Sequence, residues 1–279
     1  MSSSHAAGTL YVVATPIGNL DDLSPRARQV LGEVDAILVE DTRQSAVLLR
    51  HAGLSVPMLA VHEHNEGARA EALVQRLQAG QRLALISDAG TPLISDPGYR
   101  LVAAVRAAGL SVSPIPGPCA LVAALSAAGL PTDRFAFEGF LPARAGERQE
   151  RLSALAADPR TLVFYEAPHR ILDALEDAAR LLGGSRRAVL ARELTKRYET
   201  LLDGTLDALV SRVRGDLDQQ RGEIVLVIAG APEAEADSKL AEGKRLYALL
   251  SKELPPAKAA KLAAAWCGLP KRALYGAED

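Results

Sequence analysis

The chain has 279 residues, enough for one large or two ordinary domains plus a small appendage. With 48% hydrophobic and 24% charged residues, it is neither collagen-like, low-complexity nor wholly disordered. Its net charge of −2 conceals an asymmetry: residues 239–272 hold eight basic and two acidic side chains, so this segment carries +6 and the remainder −8. Such a segment suits an anionic partner, although a solvated helical surface has the same composition. The longest apolar runs, such as 83–86 and 224–229, fall far short of the roughly 18 residues of a membrane-spanning helix. The opening MSSSHAA lacks the basic and apolar regions of a secretory signal, and two isolated cysteines, Cys119 and Cys267, make no disulfide framework. A cytoplasmic location is expected.

Short apolar or β-branched runs alternate with Ala- and Leu-rich helical stretches, the pattern of an α/β fold with a mostly parallel sheet. Strands are predicted at 9–14, 36–39, 58–61, 83–87 and 111–115, each followed by a helix signal. Ser24-Pro25 reads as an N-cap followed by a first-turn proline, and Gly53, Gly80 and Gly109 stand where helices should stop. These elements form a first α/β domain over 8–117. A helix over 118–128 opens a second domain, 118–230, with strands at 135–140, 161–166, 187–193, 200–203 and 223–229. Helical crossovers there mix with closer strand spacing, which predicts a mixed sheet. Two such domains side by side place a ligand cleft at their junction. Residues 230–238 have linker composition. Beyond them a helix over 256–267, then Gly268, then a second helix opening at Pro270 resembles a helix-turn-helix, giving a small helical, RNA-binding region over 239–279.

Three loops after predicted strands are richer in Gly, Pro, Asp, Thr and Ser than chain reversal requires: ATPIGN at 14–19, SDAGTPLISDPG at 87–98 and PIPGPC at 114–119. All lie at the carboxyl edge of the sheet, where helix N-termini and free backbone N–H groups meet ligands. None matches GxGxxG, the P-loop, HExxH or GxSxG. No metal is expected, because His62-Glu63-His64 lacks the helical spacing of a zinc pair and the cysteines are far apart.

The ordered set TPIGN at 15–19, EDTR at 40–43, HEHNE at 62–66, SDAGTPLISDPG, PIPGPCA, FEGFLP at 137–142, FYEAPHR at 164–170 and ARELTK at 191–196 resembles the tetrapyrrole methylase superfamily over about 8–275. The resemblance implies a two-domain fold that binds S-adenosylmethionine in its interdomain cleft, mostly through backbone groups, and a homodimer. In the branch most resembled, it implies methylation of a cytidine ribose 2′-hydroxyl in the decoding centre of small-subunit (16S) ribosomal RNA. Carried over by position, Pro16, Ile17 and Gly18 approach the methionine or ribose part of the donor. Asp88 matches the aspartate of the family's Gly-Asp-Pro motif, although this chain reads Asp-Ala-Gly. Gly90 and Thr91 complete that turn as the cleft floor, followed by Ile94 and Ser95. Cys119 and Ala120 stand where related methylases often carry hydroxyls, so contacts there come from backbone N–H groups. Tyr165 lines the second-domain wall with Glu166, and Ala191 lies with Arg192 beneath the adenine.

Methyl transfer is an in-line displacement, so alignment of nucleophile, methyl and sulfur is the main task. A general base helps as the ribose hydroxyl becomes acidic. Glu40, Asp41, Glu63, Asp96, Glu166 and Glu193 are candidates, each with a cap or an ion pair as the plainer role. Arg43, Arg170, Arg192, Lys196 and Arg197 are candidate phosphate contacts, or salt-bridge partners. Glu166, Arg192 and Glu193 fall at the ends of neighbouring predicted strands. With Lys196 they form the expected catalytic group: Glu166 orients the hydroxyl or takes its proton, and Arg192 and Lys196 hold a phosphate. The plain alternative pairs Glu166 with Arg170 or Arg192. With only 4% aromatic residues, recognition rests on shape, phosphates and a few splayed nucleotides. Naked RNA and the assembled small subunit both remain open as substrate. A porphyrinoid or diphthine methylase is the alternative enzyme, which leaves the basic tail unexplained. A non-catalytic RNA-binding assembly factor leaves the cleft loops unexplained.

Overall fold

The computed structural model describes residues 8–61, 66–231, 234–269 and 271–274. The first sheet consists of β1 (Thr9–Val13), β2 (Ala36–Val39), β3 (Met58–Ala60), β4 (Leu83–Leu85) and β5 (Ser111–Ile115), all parallel in the order β3-β2-β4-β1-β5. Parallel strands need crossovers, supplied here by α1 (Pro25–Glu33), α2 (Thr42–His51), α3 (Glu66–Gln78) and α4 (Tyr99–Ala107). Leu10, Leu38, Leu83 and Leu85 pack on one face against Leu73 and Leu77 of α3 and Leu101 and Val105 of α4. Val13, Ile37, Val39 and Ala84 pack on the other against Ala27 and Leu31 of α1 and Leu49 of α2. Covering both faces explains why β2 is buried throughout and reads as a continuous apolar run. Ser24 caps α1 by accepting from the Ala27 N–H at 3.0 Å, ahead of Pro25.

The second sheet contains β6 (Phe135–Phe140), β7 (Thr161–Glu166), β8 (Arg187–Arg192), β9 (Thr200–Thr205) and β10 (Ile224–Ile228) in the order β6-β7-β10-β8-β9. Only β6 and β7 are parallel, so the sheet is mixed, as expected. The helix α5 (Ala120–Ala127) packs on the face that carries Val163, Val189, Ala191 and Val225. On the opposite face, α6 (Ala145–Leu155), α7 (Ile171–Leu182) and α8 (Leu206–Gly215) cover Leu162, Phe164, Leu190 and Leu226. One expectation is corrected. The end of β7 does not neighbour the end of β8, because antiparallel β10 runs between them and Ile224 pairs with both Glu166 and Arg192. These two residues are therefore two strand spacings apart, about 10 Å.

Two further helices follow, α9 (Ala234–Leu250) and α10 (Pro256–Cys267). The run expected as a linker thus turns helical at Ala234, since alanine and glutamate are strong helix formers whatever their polarity. Gly268 ends α10 in the left-handed conformation at φ 65°. The helix expected beyond it is only a 3-10 turn, Lys271–Leu274, so the partner of α10 is α9. Ala263, Ala264 and Leu274 form the shared core with Leu246, Tyr247, Leu250 and Leu269. A Cβ on Gly243 would come within 2.9 Å of Leu274 and 3.0 Å of Leu269, so glycine admits that close approach. His62, Glu63 and His64 lie outside the described residues, as does Pro270. No helix among the described residues is long and apolar enough to cross a membrane.

Candidate active site

Because β4, β1 and β5 are adjacent and parallel, the three unusual loops leave the sheet side by side from one edge. They are stitched together. The Thr15 and Gly90 backbones exchange hydrogen bonds of 2.8 and 3.1 Å. The Thr15 hydroxyl donates to Ser87 O at 3.2 Å, and the Thr91 hydroxyl to Pro118 O at 2.9 Å. Opposite them stand the loop after β8 and the approach to β10. There the Glu193 carboxylate accepts from the Glu223 N–H at 2.9 Å and from Lys196 Nζ at 2.8 Å. The two lips touch where the Asn19 N–H donates to the Thr195 hydroxyl at 3.1 Å.

Both lips store backbone strain. Among the described residues, the non-glycine positions at positive φ are Leu93 (74°) and Ser95 (65°) on one lip and Glu193 (52°) and Thr195 (66°) on the other. Each costs on the order of 1 kcal/mol or more and persists only where the surroundings over-determine it, as at ligand clamps.

Between the lips lies a cleft of about 330 Å³. Eight of the twelve residues expected to meet the donor line it: Ile17, Gly90, Thr91, Ile94, Ser95, Ala120, Tyr165 and Ala191. The other four stand nearby. Pro16 is buried behind the loop, and Gly18 lies so close against Lys196 and Thr195 that a Cβ would collide with both. Asp88 accepts from the Asp41 N–H at 3.2 Å, and Cys119 is the N-cap residue of α5. Sequence reasoning missed Ala89, Phe140, Ala167, Pro168, Leu194, Gly222, Glu223, Ile224 and Val225 as lining residues. For Phe140 and Leu194 a signal was present, since they belong to FEGFLP and ARELTK. Nothing local marked Gly222, which sits at φ 78° and leaves room only for the Glu193 side chain.

The expected catalytic group divides. Strand alternation puts Tyr165 and Ala191 on the cleft face and turns Arg192 to the far side. There its guanidinium donates to Thr200 Oγ1 at 2.9 Å and Gln219 Oε1 at 3.3 Å. The buried Glu166 carboxylate is held by Arg170 at 2.7 Å and by the Ala167 N–H at 2.7 Å. Glu193 and Lys196 form an ion pair that Glu223 extends at 3.1 Å. Burial pushes the Glu193 carboxyl up, but hydrogen bonds from Lys196 and Glu223 outweigh it and hold it low. Burial disfavours the Lys196 charge, yet bonds to Glu193 and Glu223 raise its pKa. Of the other candidates, Asp41 caps α2 through the Arg43 N–H at 2.7 Å and pairs with the exposed Arg43 side chain at 3.3 Å. Arg197 lies over the Tyr198 ring, 5.5 Å from its centroid.

Asp96 is different. It lines the cleft, and burial, assisted by the charges of Glu40 and Asp88, pushes its carboxyl up to about 6. Tyr165 stands beyond it, its hydroxyl accepting from the Leu121 N–H at 3.2 Å and its ring edge-on to Phe137 and Phe140 at 4.8 and 5.7 Å. Its phenol is pushed well up by burial and by Cys119. No group of three His, Cys, Asp or Glu among the described residues is placed to hold a metal.

The Glu166–Arg170 pair gives a first expected result. Glu166→Gln keeps the shape but weakens a buried charge-assisted bond, so stability should fall by about 1–3 kcal/mol in a thermal melt. The single-turnover methylation rate per folded molecule should stay close to wild type.

The family model for Tetrapyrrole (Corrin/Porphyrin) Methylases matches residues 9–210, and that for the RsmI C-terminal HTH domain matches 237–277. Ribosomal RNA small subunit methyltransferase I of Xylella fastidiosa (strain Temecula1 / ATCC 700964) is 57% identical over 269 residues, covering 96% of this chain and 98% of that protein. The protein of the same name from Escherichia coli O157:H7 is 52% identical over 274 residues, covering 98% and 96%. Among solved structures, uroporphyrin-III-C-methyltransferase from Thermus thermophilus aligns with a TM-score of 0.57 at 22% identity over 80% of this chain and 95% of its own. A diphthine synthase aligns with a TM-score of 0.56 at 16% identity over 79% and 89%. At such identities the likeness is one of fold. The methyl donor of this family is S-adenosylmethionine, and the cleft fits it. Ile17, Ile94, Ala191, Leu194 and Val225 offer apolar walls, Gly90 leaves backbone uncovered where a Cβ would intrude, and Asp96 and Glu223 bring acidic residues to the lining, which suits a cation. From the stitched cleft loops to the C-terminal helical pair, the chain belongs to the tetrapyrrole methylases, in the branch of the ribosomal RNA small subunit methyltransferase I proteins.

Proposed function

We propose that this protein methylates a cytidine ribose 2′-hydroxyl in the decoding centre of small-subunit (16S) ribosomal RNA, acting in the cytoplasm as a homodimer. The observation that carries the reading is similarity over nearly the whole chain to relatives named for ribosomal RNA methylation, through both the cleft loops and the basic helical pair. A porphyrinoid or diphthine methylase has no use for that pair, and a non-catalytic assembly factor has none for the cleft.

S-adenosylmethionine supplies a methyl group on a sulfonium. In this reading the 14–19 and 87–98 loops, with Ala120, Tyr165 and Ala191, hold and orient the donor, mostly through backbone and apolar contact. Asp96 accepts the hydroxyl proton as the O–C bond forms and the S–C bond breaks. Geometry favours it over the other acids: Glu166 and Glu193 are committed to Arg170 and Lys196, whereas no arginine or lysine among the described residues pairs with Asp96. Lys196, beside Gly18 on the lip, and the exposed Arg197 meet the RNA phosphates, while Arg192 braces the second sheet through Thr200 and Gln219.

The test uses small ribosomal subunits lacking the modification and isotopically labelled donor. A 2′-O-methyl group blocks alkaline cleavage of the adjoining phosphodiester, so one cytidine should become both labelled and resistant. Label on a base, or none on RNA, sinks the proposal. Truncation after Gly230 should leave donor binding in calorimetry nearly intact but weaken RNA binding strongly. The eight basic side chains of residues 239–272 are lost with it, and each phosphate contact removed flattens the salt dependence. Equal RNA affinity and salt slope in the truncated protein would detach this region from the substrate.

A further inference from the structure

The solvent face of α10 sets a large exposed aromatic ring among basic side chains. Ala259, Ala260, Ala263, Ala264 and Cys267 are buried, a small-residue stripe that lets α9 approach. This leaves Lys258, Lys261, Leu262, Ala265 and Trp266 outward. Trp266 is the single tryptophan of the chain, yet it is 77% exposed, and Leu262, one turn before it, is 45% exposed. A tryptophan side chain offers one of the largest apolar areas available to a core, and here it contributes almost nothing to the fold. No acidic residue occurs anywhere in α10, so two lysines and one large aromatic plane share its outward face.

We infer that this face binds unpaired RNA, one base stacking on the Trp266 indole while Lys258 and Lys261 meet the flanking phosphates. The inference rests on RNA being the substrate and adds the element and mode of contact. Stacking plane plus cations is the recurrent solution for single-stranded nucleic acid, because every base has a π-face and every nucleotide a phosphate. The apolar area, one indole and one leucine, is small for the core of a stable protein interface, and the charge on the face is of one sign. A protein partner is therefore the less fitting occupant. Among the large hydrophobic side chains exposed in the described residues, Trp266 is the most exposed at 77%, and an indole offers the largest ring for a base to stack on.

The experiment measures affinity of the full chain for unmethylated small subunits, with donor present, for wild type, Trp266→Ala, Trp266→Phe and Lys258→Glu/Lys261→Glu. Trp266 is exposed, so these variants should melt like wild type. Trp266→Ala should weaken binding about tenfold, Trp266→Phe should restore most of it, and the double charge reversal should flatten the salt slope. In each case KM for subunits should rise with kcat little changed. As the chain's lone tryptophan, Trp266 also reports directly: its emission should be quenched by a single-stranded RNA oligonucleotide. Unchanged affinity in Trp266→Ala overturns the inference while leaving RNA methylation standing. Lost affinity without quenching by the oligonucleotide also overturns it and assigns the face to a ribosomal protein or a second copy of this chain. If the wild type binds donor but neither binds nor methylates subunits, the RNA reading itself has failed and the inference falls with it.

Discussion

Replacing Asp96 by asparagine should lower the single-turnover methylation rate by about 100-fold at saturating donor while donor affinity falls far less, because asparagine keeps the volume and one acceptor but takes no proton. Single-turnover kinetics on unmethylated subunits, with calorimetry for the donor, read both quantities. The pH profile gives a second handle. A base must be deprotonated to act, so wild-type kcat/KM should fall as pH drops through the carboxyl's value. That value is about 6 in the free protein, where burial, then Glu40 and Asp88, favour the neutral form and a hydrogen bond with Ser87 opposes them. The adjacent sulfonium favours the charged form, so with donor bound the limb should lie lower. Other ionisable groups in or beside the cleft are Glu40, Asp88, Glu166, Glu223, Glu193, whose carboxyl is held low, and Tyr165, whose phenol is held far above this range. Asp96→Asn should remove the limb from the residual rate. A normal rate, or an unchanged acid limb, would assign the proton to solvent and leave alignment as the whole of the catalysis.

The features legible in the sequence were those that local chemistry decides. Ser24-Pro25 began a helix where it stood, Gly53, Gly80 and Gly109 ended helices at positive φ, and the alternation of apolar runs with helix signals gave two sheets, one parallel and one mixed. The cleft loops were legible for the same reason: their Gly, Pro and hydroxyl residues have no use in a plain turn. The order of strands across the second sheet was not. The insertion of β10 between β7 and β8 is set by antiparallel pairing of segments far apart in the chain, and it separates Glu166 from Arg192. Rank among the acids was hidden likewise. Asp96 owes its raised pKa to burial and to Glu40 and Asp88, which come from two different loops, while Glu166 loses its freedom to Arg170 through a one-turn contact. The 230–238 segment misled because Ala and Glu occur in linkers and in helices alike.

Gly90→Val should remove donor binding, by about 100-fold or more, while the protein remains folded. Gly90 sits at φ 84°, a region in which a β-branched residue is a genuine outlier. Even the first carbon of the new side chain would stand 3.2 Å from Ile17 Cγ2, and both residues line the cleft. The chain here has little room to adjust, because the Gly90 N–H and C=O are both bonded to Thr15 and the neighbouring Thr91 is tied to Pro118. A shift that relieves the clash must therefore displace all three loops of the donor floor, and displacement of about 1 Å in a positioned site can cost 100-fold. Asp88→Ala, two residues away, makes the contrast. Asp88 does not line the cleft but ties its loop to the start of α2 through the Asp41 N–H, so its loss should weaken donor binding far less. Calorimetry with S-adenosylmethionine and a thermal melt on each variant separate the outcomes. If Gly90→Val binds donor like wild type, the floor of this cleft is not where the donor lies. If it melts far below Gly90→Ala, backbone strain has unfolded the loop, and the alanine variant, with the smaller intrusion, becomes the measure of steric exclusion.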